Sequence, residues 1–176
     1  MKRLVIVGLL VLVMAVGWRS YGSPETGTGT LTLPQPAPNP GEQAPTFSAP
    51  TVGGETFALK DKGVYVLTFW STLNEGSSEA GPAFARLARE YSDSGVSFAA
   101  VYVGNMPGQP EEAPYTLLRD VSGRLTSLYN VKRVPRLFLI ENGRIVLVHN
   151  GYYEDNEKYL EEELKELIEE KQESSG

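Results

Sequence analysis

Two counts limit the chemistry open to this chain before any fold is considered. It contains no cysteine and a single histidine, His149. Without thiols there is no disulfide, no thiolate nucleophile and no thiolate metal site. One imidazole cannot build a histidine cluster around a metal. A serine hydroxyl needs a general base to become a nucleophile, and His149 is the one imidazole that could serve. The glutamates crowd into the last segment, where they read as the solvated face of a helix. They lack the loop spacing of a calcium site. No metal and no cofactor are expected.

Charge narrows the partners. Sixteen Lys and Arg against 22 Asp and Glu give a net charge of −6. The basic residues are scattered among the acids, whereas a phosphate backbone would require them in clusters. Nucleic acid is therefore not an expected partner. The length suits one domain. A hydrophobic content of 41% supplies an ordinary core even after the N-terminal apolar run is set aside.

That run is an address. Lys2 and Arg3 precede an unbroken apolar stretch from Leu4 to Val16, with Trp18 at its far end. Residues 1–18 thus read as a signal peptide or a membrane anchor. The charged end would stay inside and the remainder would be exported. Residues 19–44 follow as a Pro-, Gly- and Thr-rich linker. Pro34, Pro36, Pro38 and Pro40 alternate within it, which suits an extended spacer. The expected localisation is the bacterial cell membrane, single-pass with an extracytoplasmic C-terminal domain, or secreted or periplasmic if the leader is cleaved.

The folded domain is expected over residues 45–172, with 173–176 as a polar tail. Val64 to Trp70 and Val96 to Val103 are continuous β-branched and aromatic runs, as in buried strands. Between them, Ser77 to Tyr91 carries Ala80, Ala83, Phe84, Leu87 and Tyr91 at helical spacing, with Pro82 inside. A strand–helix–strand unit with parallel strands follows. Tyr115 to Leu118 reads as a short strand, and Leu125 to Tyr129 as a short helix. Leu137 to Ile140 and Arg144 to His149 form a hairpin through Glu141-Asn142-Gly143. Asn156 to Lys171 is a helix with Leu160, Leu164, Leu167 and Ile168 on one face.

This order resembles the thioredoxin-like fold, an α/β architecture with a central mixed β-sheet flanked by helices. Individual stretches resemble the membrane-anchored TlpA/ResA-type thiol–disulfide oxidoreductases. They are Ala44-Pro45-Thr46-Phe47, Gly53-Gly54-Glu55-Thr56-Phe57-Ala58-Leu59, Leu67-Thr68-Phe69-Trp70, Val134-Pro135, and Asn142-Gly143-Arg144-Ile145-Val146 with Gly151. After Phe69-Trp70 that family carries Trp-Cys-x-x-Cys at a helix start. Here Leu73 stands for the tryptophan, and Asn74 and Ser77 for the two cysteines. Ala80 occupies the position where the family often has glutamate. The resemblance implies a cis peptide bond before Pro135 and a Val134 backbone able to pair with an extended chain.

The departures decide the expected function. Dithiol exchange needs an attacking thiolate and a second sulfur to resolve the mixed disulfide, so no catalytic residue is assigned. Asn74 and Ser77 are favoured helix caps, and Glu75 would sit exposed at the positive helix end. If the fold holds, His149 lies about two strand spacings, or roughly 10 Å, from the motif strand, too far to activate Ser77. It reads as a polar strand end. Leu73, Asn74, Glu75, Gly76, Ser77, Val134, Pro135 and Arg136 form the candidate binding surface. The expected role is a redox-inactive module for an extracytoplasmic protein or peptide, attached to the membrane through its N-terminal segment. The alternative is an enzyme or auxiliary subunit in extracytoplasmic thiol redox or cytochrome c maturation that uses a partner's cysteines.

Overall fold

The computed structural model describes residues 38–104, 106, 113–152 and 154–173. The expected leader and most of the linker lie outside them. Among the described residues, no helix is long and apolar enough to cross a membrane. The elements are β1 (Phe47–Pro50), β2 (Thr56–Leu59), β3 (Val64–Trp70), α1 (Glu75–Glu90), β4 (Val96–Val103), β5 (Thr116–Asp120), α2 (Arg124–Leu128), β6 (Arg136–Glu141), β7 (Arg144–Asn150) and α3 (Glu154–Glu173).

Five strands make one sheet in the order β5-β4-β3-β6-β7. The first three run parallel, and β6 and β7 are antiparallel to their neighbours. This is the mixed sheet expected of a thioredoxin-like fold. All seven residues of β3 are buried, as a central strand covered on both faces requires. One face of the sheet carries Phe84, Leu87, Ala88 and Tyr91 of α1 and its C-terminal end, with Leu160, Leu164 and Leu167 of α3. Burying each such leucine stabilises the fold by about 1.5–3 kcal/mol. The opposite face carries Phe47, Leu59, Phe69, Leu125, Tyr129 and Phe138. The Tyr129 hydroxyl donates to the Pro45 carbonyl at 2.7 Å, and burial raises its pKa. Between the helices, Arg86 of α1 pairs with Glu157 and Glu161 of α3, while Pro82 lies within the continuous α1.

Two features depart from the sequence reading. The short β1–β2 hairpin was not expected, because four-residue strands spelling FSAP and TFAL are too short for a period to stand out. The linker also ends earlier than residue 44. Gly41 donates to the Ile145 carbonyl, Ile145 to the Glu42 carbonyl and Ala44 to the Gly143 carbonyl. Residues 41–44 therefore run along the start of β7, and Ala44 is buried.

The β6–β7 turn explains that attachment. Asn142 and Gly143 both have positive φ, +47° and +78°, as a tight hairpin turn demands. A Cβ on Gly143 would lie 3.2 Å from the Asp61 carbonyl oxygen, so the close approach itself calls for glycine.

Candidate functional site

The C-terminal end of β3 delivers Ser71 to Asn74 to the start of α1. Asn74 is the N-cap residue in an extended conformation. Its Oδ1 accepts from the Ser77 amide at 3.0 Å and from the Ser77 hydroxyl at 3.3 Å. Ser77 Oγ in turn accepts from the Ser71 amide at 3.3 Å. The two positions that resemble a dithiol pair are thus joined by a polar network that closes the helix end. Ser77 is buried, and its proton is committed to Asn74. His149 stands two strands from β3, across β6, so nothing here activates the hydroxyl.

The loop before β6 meets this helix start. The Val134–Pro135 bond is cis. Pro135 is buried, and its Cδ lies 3.4 Å from where a Gly76 Cβ would stand. An open groove of about 400 Å³ separates the two loops, lined by Ser71, Asn74, Thr126, Lys132, Arg133 and Val134. The Val134 side chain packs on the sheet core. Its amide and carbonyl have no hydrogen-bond partner among the described residues. Leu73 stands at the rim, 97% exposed.

Not every expected site residue joins the groove. Glu75 is exposed on the first turn of α1 and does not line it. Arg136 is half-buried, its guanidinium 5.2 Å from the Phe138 ring centroid. Its Nε is buried without a partner, and burial lowers its pKa.

His149 lies at the end of β7, one residue before Asn150, and is half-buried there. It lines a small recess of about 50 Å³ with Thr68, Ala80, Pro135, Tyr152 and Glu157. The position where the resembled family often carries glutamate thus shares a cavity with the only imidazole. Burial holds His149 below its ordinary 6.5. The sign follows: the unfolded chain takes up the proton first, so folding is favoured fully above pH 6.5 and progressively less below it. His149→Gln should flatten the fall in melting temperature between pH 7.5 and 5 (about the span of imidazole titration). Identical falls in both chains would remove His149 as the cause.

Fold and site together define a thioredoxin-like domain without thiols. A family model described as AhpC/TSA matches residues 40–149, and the chain belongs to that family. It is similar to the thioredoxin-like protein YneN of Bacillus subtilis, 29% identical over 81% of this chain and 86% of the relative. It is also similar to the thiol–disulfide oxidoreductase ResA of Halalkalibacterium halodurans, 30% identical over 73% of this chain and 76% of the relative. Among solved structures, a putative thiol:disulfide interchange protein DsbE from Chlorobium tepidum superposes with a TM-score of 0.66 at 27% identity. That match covers 74% of this chain and 99% of the other.

Two functional features escaped the sequence reading. The recess around His149 depends on a strand register that the hairpin turn alone does not reveal. Lys132 and Arg133 were in plain view, immediately before Val134-Pro135, and could have been found as a basic pair in that loop.

Proposed function

We propose that this chain is a redox-inactive, extracytoplasmic thioredoxin-like module. It holds an extended segment of a protein partner in the groove between Asn74 and Val134. The observation that carries this reading is the unpaired Val134 backbone beside the exposed Leu73. A strand docking there gains main-chain hydrogen bonds and an apolar contact without displacing any bond of the fold. In this reading residues 1–18 attach the domain to the membrane.

A photo-crosslinking residue placed at Leu73 in cells should yield discrete adducts, and one at the exposed Tyr159 on α3 should not. The purified chain should leave insulin disulfides untouched beyond the rate of added reductant. Equal adducts at both positions, or clear turnover of insulin, would sink the proposal.

A second reading has its own support. Relatives carry the names thioredoxin-like protein and thiol–disulfide oxidoreductase. The chain would then be an auxiliary subunit in extracytoplasmic thiol redox or cytochrome c maturation, presenting a substrate to a partner's cysteines. Adducts at Leu73 that contain a cysteine-bearing oxidoreductase would favour it over simple peptide binding.

A further inference from the structure

One long stretch of the folded domain sets basic residues apart from the acids. Residues 121–140 hold Arg124, Lys132, Arg133 and Arg136 and no aspartate or glutamate, in a chain of net charge −6. The segment covers α2, the loop before β6 and most of β6 itself. Arg124 is engaged, donating to the Ser48 carbonyl at 2.8 Å. Lys132 and Arg133 are exposed and have no ion pair or hydrogen bond among the described residues. Both line the groove at Val134. Arg136, one residue past Pro135, is held over Phe138 and does not line the groove.

We infer that the segment bound in this groove is an extended acidic peptide, with carboxylates flanking the residue that meets Leu73. The inference rests on the groove being a peptide site. Two unpaired cations beside unpaired main-chain groups call for a ligand that offers both carboxylates and a free backbone. A strand with acidic side chains offers both. An anionic lipid surface offers charge alone and leaves the Val134 amide and carbonyl unused. Lining groups other than the cations are neutral: Ser71, Asn74, Thr126 and apolar side chains. Incoming carboxylates therefore meet no like charge inside the groove.

The test is fluorescence anisotropy of the full chain with three labelled peptides of equal length. Each alternates threonine with Glu, Gln or Lys around one central leucine. The Glu peptide should bind about tenfold more tightly than the Gln peptide at low salt, the scale of two exposed ion pairs. The preference should vanish near 1 M salt, where screening is nearly complete. The double variant K132Q/R133Q should bind the Glu peptide no better than the Gln peptide, with its melting temperature unchanged because both side chains are exposed.

Equal binding of the Glu and Gln peptides would overturn the acidic preference and leave the docking groove standing. Binding of none of the three would remove both. A Glu-peptide preference that survives in K132Q/R133Q would place the acidic site elsewhere and overturn the inference. So would capture by anionic phospholipid vesicles that is lost in K132Q/R133Q while the peptides are not discriminated.

Discussion

A chain carrying both Asn74→Cys and Ser77→Cys should form a disulfide in air and acquire insulin-reducing activity. Asn74 Oδ1 and Ser77 Oγ are already 3.3 Å apart, and the positions straddle the first turn of α1. A thiol at 74 would sit half-exposed at the helix N-terminus, where the helix dipole favours its thiolate. A thiol at 77 would be buried beneath it, placed to resolve a mixed disulfide. Loss of the Asn74 cap costs about 1 kcal/mol, which a folded domain tolerates. Thiol labelling before and after oxidation measures the first effect, and insulin turbidity the second. Free thiols that persist in oxidising buffer, in a chain with native circular dichroism, would show that the helix start does not have this geometry.

Phe138→Ala should destabilise the domain by about 3–5 kcal/mol, the range for truncating a buried phenylalanine. Phe138 is fully buried. Its ring lies 6.0 Å from Phe69 and 5.1 Å from Tyr129 between centroids, and it supports the Arg136 guanidinium. No rigid neighbour can collapse into the space left. Against a typical total of about 5–15 kcal/mol, this variant should melt far earlier in urea or not fold. Leu73→Ala is the contrast: it too truncates a large apolar side chain, but at an exposed site, and it should change the stability by no more than about 0.5 kcal/mol. Equal midpoints for Phe138→Ala and the parent chain would contradict the packing described above.

These contrasts show where sequence was informative. The central strands announced themselves because Val64–Trp70 is buried throughout and Val96–Val103 largely so, and both read as β-branched and aromatic runs. The helices followed from leucine and phenylalanine spacing, and the Asn142-Gly143 turn from its positive φ requirement. Asn74 was legible as a cap because few side chains suit that position. What stayed hidden was governed by contacts distant in sequence. His149 is the clearest case. A regular hairpin closed between Glu141 and Arg144 would pair Leu137 with Val148. The irregularity at Leu139/Ile140 shifts the register, so that His149 faces Leu137 instead. One extra residue in β7 thereby turns the imidazole toward α1 and α3. Nothing in the local pattern marks that bulge. Residues 41–44 were hidden likewise, because Pro38 and Pro40 make the whole segment look like spacer.

That strip along β7 has a bearing on self-association. An open strand edge invites a second molecule to add to the sheet, the route to fibrous aggregates. Here residues 41–44 cover the start of one outer strand. On the opposite side Val52 donates to the Leu117 carbonyl, and Thr51 bridges Leu118 of β5. Both margins of the sheet are thus partly closed by the chain's own entry segment. A foreign strand thus finds few free main-chain groups along these margins, so copies of the domain have little to pair with edge to edge.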